Sequence, residues 1–228
     1  MVTFVSFFLA IVIIAIYAEI VNETAKLIRK AATQLFAERG YAGTSVRAIC
    51  QAAGTNVNGV SYHFGGKQAL YEDIISRSGD DRLASAQRLL GLPPGDAADL
   101  ESRLLLFAEE TLAAHLRDPE PLIILYAETQ QRFRNCDPKV LKNLSKHNEV
   151  LLAFLASARR RSLLRKGVDI DIVAGTLLER LNNQVHHADF IESVYGTSIK
   201  EPKYRRHWSR QTIDLLLHGA VRVPSEEP

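Results

Sequence analysis

Apolar residues return every three or four positions along most of this chain, the spacing that gives a helix one buried face. Ile28, Ala32, Leu35 and Phe36 make the first clear stripe. Asn22 or Thr24 can open that helix and Gly40 can stop it, with its polar residues left in water. A shorter stripe, Val46, Ile49 and Cys50, follows a capping hydroxyl at Thr44 or Ser45. Ala52, Ala53 and Gly54 are small enough for a tight turn, and Gly54 can take the left-handed conformation. The next stripe is Val57, Val60 and Phe64, with Asn56 as its cap; Leu70, Tyr71, Ile74 and Ile75 mark a fourth helix that starts near Lys67. From about residue 80 helix follows helix with no alternating strand pattern. GLPPG at 91–95 is a break, and Gly167 and Gly196 are stops. Asp118-Pro119, Asp137-Pro138 and Glu201-Pro202 each place a proline beside an acid at a helix start. These signals predict helices over 96–117, 119–134, 138–166, 169–195 and 202–219.

The stretch 44–67 carries the chemistry. Its second helix has a polar, hydrogen-bonding side formed by Asn58, Gly59, Ser61, Tyr62 and His63, and the whole stretch holds no acid. Helix, small-residue turn and polar-faced helix match a helix-turn-helix, whose second helix enters the DNA major groove. The chain is therefore expected to be all-α: a three-helix helix-turn-helix domain, then a larger helical domain.

Read together, ETAKLIRKAATQLFAERGYAGTSVRAICQAAG and the closing YHFGGKQALYEDII resemble the N-terminal domain of TetR-family transcription regulators. LFAERGY, TSVRAI, AAG, YHFGGK and ALY occur in the family's order and spacing, over about residues 22–78. The resemblance implies a sequence-specific DNA-binding regulator, a homodimer on a palindromic double-stranded operator, with an unknown small-molecule effector. It implies that the second domain, 79–228, binds the effector and dimerises through its last two long helices. Carried over by position, Val57, Asn58 and Ser61 fall where bases are read, and Ser45, Tyr62 and Lys67 where phosphates are touched. With Asn56, Gly59 and His63 these make the expected DNA-binding set. Ser61 departs from the pattern, since many members have Tyr there, so the contact that a phenol makes is either lost or shifted to Tyr62.

Charge agrees with this division. The net charge is +2 overall, yet residues 22–78 hold seven Lys/Arg against four acids. A modest positive excess suits a phosphate-facing surface. Cys50 and Cys136 lack metal-ligand spacing, which points to a reduced, cytoplasmic protein. Residues 2–18 carry no charge and fall outside the family pattern, so 1–21 form an apolar extension. Three readings of it stay open: a start-site artefact, a membrane anchor with the DNA-binding domain on the cytoplasmic side, or an arm packed on the protein.

Candidate ligand-binding residues interrupt the apolar helices of the second domain: Tyr126, Gln130, Arg180, Asn183 and His187. Each also reads as an ordinary surface or locally bonded residue. His186 and His187 point about 100° apart on a helix and cannot readily chelate together, so no metal and no cofactor is expected. A helical small-molecule enzyme is the remaining alternative. No G-x-S-x-G, P-loop, dinucleotide fingerprint or H-E-x-x-H motif supports it.

Overall fold

A computed structural model describes residues 2–219, and for residues 2–18 and 20 the backbone alone. Among the described residues it contains ten helices and no strand, so the all-α expectation holds: α1 (Val2–Gly43), α2 (Val46–Ala52), α3 (Gly59–Phe64), α4 (Lys67–Leu90), α5 (Ala97–Arg117), α6 (Glu120–Gln130), α7 (Pro138–Arg160), α8 (Ile170–His186), α9 (Ala188–Tyr195) and α10 (Pro202–His218). Two compact units share these elements. The first comprises the chain up to Ile75 together with residues 124–137; the second comprises 76–123 and the chain from Pro138 on.

The first unit buries the predicted stripes. Ile28, Ala32, Leu35 and Phe36 of α1 meet Ile49 and Cys50 of α2, Val60 of α3, and Leu70, Tyr71, Ile74 and Ile75 of α4. Phe36 and Tyr71 stack edge to face, their centroids 4.8 Å apart. Gly40 ends the regular part of α1, at φ 69° and ψ 173°, a conformation that favours glycine. At its other end the helix does not start at Asn22 or Thr24; it runs back unbroken to Val2, so neither residue acts as a cap. The side chains of 2–18, on which the anchor and packed-arm readings bear, lie outside the described residues. Among the described residues no helix is long and apolar enough to cross a membrane.

In the second unit α5 packs against α8 and α10, and α8 against α7. Leu104, Phe107 and Leu112 of α5, Leu151, Phe154 and Leu155 of α7, and Leu177 and Leu181 of α8 supply the core. Asp96 and Asp169 cap α5 and α8 by accepting from the backbone amides of Asp99 and Asp171. Several predicted ends shift. α6 stops at Gln130 instead of 134, because Arg132 and Phe133 turn to φ 54° and 56° and the Phe133 amide donates back to Glu128 O at 2.8 Å. α7 stops at Arg160 instead of 166, where Ser162 takes φ 59° and Leu163 N bonds Ala158 O. The helix expected over 169–195 is two helices, broken at His187 without a glycine or proline to mark the place.

Candidate nucleic-acid interface

The turn in the first unit is built by local hydrogen bonds that the residue types dictate. Ser45 Oγ accepts from Ala48 N at 3.1 Å, so serine caps α2. Thr44 is buried and donates to Leu35 O and Gly40 O, tying the start of α2 to the end of α1. Gly54 takes φ 65°, and Thr55 N closes the turn on Cys50 O at 2.9 Å. Asn56 does not cap α3 as its residue type suggests. The cap position belongs to Asn58, and Asn56 Oδ1 accepts from Asn58 N at 3.0 Å, an Asx turn just before the helix.

This geometry sorts the expected DNA-binding set. Val57, Asn58, Ser61 and Tyr62 are exposed, Val57 at 55% and Tyr62 at 67%. From the cap at Asn58, Ser61 and Tyr62 follow three and four residues on, so these side chains share one outward face, and Val57 is exposed in the turn just before it. Val57 therefore leaves the buried stripe that its apolar side chain predicts. Gly59 points inward: a Cβ there would stand 3.1 Å from Ile28 Cδ1 and 3.3 Å from Thr55 Oγ1. Its hydrogen lets α3 lie close on α1. His63 is half-buried, its ring edge-on to Tyr62 at 4.8 Å. Val60 anchors the helix in the core.

Lys67 is held back from the surface. Its Nζ donates to Tyr41 O and Thr44 O, each at 2.8 Å, and lies 4.1 Å above the Tyr41 ring. Burial lowers its pKa. Two of its three protons thus satisfy carbonyls at the end of α1, so its first task is to hold the turn. Arg29, a solvated residue by its place in the sequence pattern, also braces the domain. Its Nε donates to Asp73 Oδ2 at 2.6 Å and its guanidinium sits 5.3 Å from the Phe64 centroid, which links α1 to both α3 and α4.

A further brace comes from residues 124–137. Glu128 is 1% exposed and accepts from Tyr71 Oη at 2.6 Å and from Asn135 Nδ2 at 2.8 Å. Burial first, and then this bond to a carboxylate, raise the Tyr71 phenol pKa far above its ordinary value. Burial and the carboxylates of Glu128 and Glu72 push the Cys136 thiol up to about 12, so it stays an inert thiol. The one sequence signal for Glu128 is a lone acid in the run PLIILYAET, too weak to single it out.

The candidate ligand residues are divided between the two units. Tyr126 is half-buried and Gln130 exposed in the first unit. In the second, Asn183 and His187 are exposed. Arg180 lies over the Trp208 ring at 5.2 Å and donates to Thr212 Oγ1, which makes it a packing bridge from α8 to α10. A cleft of about 270 Å³ in that unit is lined by Ala97, Leu100, Leu163, Leu164, Arg165, Leu217 and His218, and includes none of these candidates. His186 and His187 stack at 4.7 Å, and no potential metal-binding group of three or more is found among the described residues.

Residues 28–74 match the family model described as bacterial regulatory proteins, tetR family. The HTH-type transcriptional repressor Rv3405c of Mycobacterium tuberculosis is 37% identical over 115 residues, 50% of this chain and 55% of that protein. The chain thus spans about half the length of this curated relative. Among solved structures, the TetR family transcriptional regulator PfmR from Thermus thermophilus superposes with a TM-score of 0.68 at 22% identity, covering 87% of this chain and 97% of that one. The transcriptional regulator FadR from Bacillus subtilis, solved in complex with stearoyl-CoA, gives 0.64 at 16% identity, over 86% and 99%. Residues 28–74 thus carry the helix-turn-helix of the tetR family of bacterial regulatory proteins, and the chain as a whole shares the helical fold of these solved regulators.

Proposed function

We propose that this protein is a transcriptional repressor, a cytoplasmic homodimer that reads a palindromic operator and responds to a small-molecule effector. It is a regulator, not an enzyme. One observation carries the reading: an acid-free face of Val57, Asn58, Ser61 and Tyr62 that stands outward from a tightly braced helix-turn-helix. Asn58 can donate and accept towards a base edge, while Ser45 keeps its hydroxyl proton for a phosphate after capping α2. On this reading residues 22–78 bind DNA and 79–228 regulate and dimerise.

Support for the dimer comes from exposed apolar residues on the last helices: Ile172 of α8, Phe190, Val194 and Tyr195 of α9, and Leu215 of α10. A single short reader buries little surface, so tight specific binding calls for two half-sites about 34–36 Å apart. The family supports an effector, and FadR from Bacillus subtilis carries stearoyl-CoA in its structure. Selection of DNA from a random pool by the full chain tests the proposal. Enrichment of an inverted repeat, bound by two copies in light scattering, is the expected result. Enrichment of no sequence, or tight binding by one copy alone, would refute it.

A further inference from the structure

The cleft of about 270 Å³ in the second unit lies where three segments meet: the first turn of α5, the connection from α7 to α8, and the last turn of α10. The early stop of α7 makes this place. Ser162 takes φ 59° and Leu163 N bonds Ala158 O, so the chain leaves the helix just before Leu163 and Leu164. Both leucines line the cleft with Leu217 of α10 and the buried Leu100 of α5. Leu163, Leu164 and Leu217 are half-buried, so each keeps part of its apolar surface open.

The same connection gathers positive charge. RRRSLLRK, residues 159–166, holds five Arg/Lys and no acid, and all five cations are exposed. Arg165 itself lines the cleft and has no hydrogen-bond or ion-pair partner among the described residues. The Gly95 amide, then Arg103 and last Arg161 lower the Asp99 pKa, which places Arg161 beside the start of α5. The acids next to the cleft on α5 are already engaged. Asp96 caps the helix, Asp99 accepts from Gly95 N and Arg103, and Glu101 lies 3.8 Å from His218 Nε2. Asp214 stands one turn before His218 on α10, so an incoming anion is favoured on the Arg165 side.

Cations are favoured at the C-terminal end of a helix, which accounts for Arg159 and Arg160 at the end of α7. It does not account for Arg165, which lies beyond the helix, or for three leucines left partly open around it. An apolar chain in the cleft would cover that leucine surface, and an anionic end would meet the uncommitted guanidinium. The volume suits a small body, since small-ligand pockets begin near about 300 Å³. We propose that this cleft binds an anionic amphiphile, a short alkyl chain with one anionic head group. Arg165 holds the head, and Leu163, Leu164 and Leu217 cover the chain. The site gives the effector of the repressor reading a place and a chemical class, and its regulatory part rests on that reading.

Titration calorimetry of the full chain tests the site with octanoate and octyl phosphate, below the concentrations at which they form micelles. Octanol and octyltrimethylammonium are the controls. At least one anion should bind at one site per chain, and which of the two binds identifies the head group. Shortening its chain should weaken binding about 2- to 4-fold per methylene removed. Arg165→Gln should weaken it about 5- to 10-fold, the loss of a charged contact partly open to water. Arg117→Gln, about 30 Å away at the far end of α5, should leave it unchanged. Both substitutions are at exposed positions, so folding is expected to survive them. The site is overturned if neither anion binds, if octanol or the ammonium binds as tightly, if chain length has no effect, or if the two arginine variants behave alike. Affinity for the DNA selected from the random pool separates the two proposals. An anion that binds through Arg165 without changing that affinity upholds the site and overturns its effector role. Binding by a protein that selects no DNA upholds the site and overturns the repressor reading.

Discussion

Replacing Tyr71 with Phe removes one oxygen from the brace between α4 and residues 124–137. The Glu128 carboxylate is 1% exposed and receives the Tyr71 hydroxyl at 2.6 Å, Asn135 Nδ2 at 2.8 Å and Asn135 N at 3.4 Å. A hydrogen bond to a charged group contributes about 1.5–3 kcal/mol, and the buried carboxylate has no solvent to replace it. The phenylalanine ring keeps the stack on Phe36, so little packing is lost. We therefore expect the first unit to lose about 2 kcal/mol, roughly a 30-fold rise in the population of its opened state. Hydrogen exchange read by mass spectrometry reports this locally, in peptides covering residues 67–75 and 124–137. Tyr62→Phe serves as control, because Tyr62 is 67% exposed and surface changes usually stay within about 0.5 kcal/mol. Exchange accelerated less than about threefold, or equally in the control, would show that the Tyr71–Glu128 bond does not stabilise the unit.

Asn58→Ala should cost about 1–3 kcal/mol on the selected operator and relax preference at one base pair per half-site; equal weakening on random DNA would remove Asn58 from base reading. Lys67→Ala should destabilise the helix-turn-helix by about 1–3 kcal/mol in urea unfolding, because the carbonyls of Tyr41 and Thr44 lose their donor. Unchanged stability with a salt slope lower by about one would instead assign that lysine to a DNA phosphate. His115 titrates at about 3 when folded against about 6.5 unfolded. The unfolded chain binds the extra proton between those values, so the stabilisation is complete above pH 6.5 and is lost as the pH falls. Between about pH 6.5 and 5, before most carboxylates titrate, the slope should approach about 1.4 kcal/mol per pH unit from this residue. His115→Gln should flatten it, and an unchanged slope would contradict the buried neutral imidazole.

What the sequence made legible was local. Ser45, one of the two hydroxyls expected there, caps its helix because an oxygen three residues ahead of a bare amide suffices, whatever the rest of the fold does. The stripe from Ile28 to Phe36 has one solution for the same reason. Illegible features depend on partners far along the chain. Lys67 meets Tyr41 O across 26 residues and Tyr71 meets Glu128 across 57, so neither position announces its task. The left-handed Arg132 and Phe133 belong with this group. Nothing in QRFRN forbids another turn of helix; the buried carboxylate of Glu128, which gathers Asn135 beneath it, accompanies the early stop. Asn56 and Asn58 are ambiguous at the level of one hydrogen bond, since either amide can start a helix.

The discontinuous make-up of the first unit bears on how the chain is made. A ribosome releases residues in order, and domains generally fold as units once their parts are available. Tyr71 emerges more than fifty residues ahead of Glu128, its hydrogen-bond acceptor. Until Asn135 has followed, the nascent helix-turn-helix lacks one side of its brace. The proposed DNA-reading surface therefore reaches its final rigidity only when well over half of the polypeptide has been synthesised. A fragment cut at residue 78, or a chimaera joined there, would permanently hold that half-finished state.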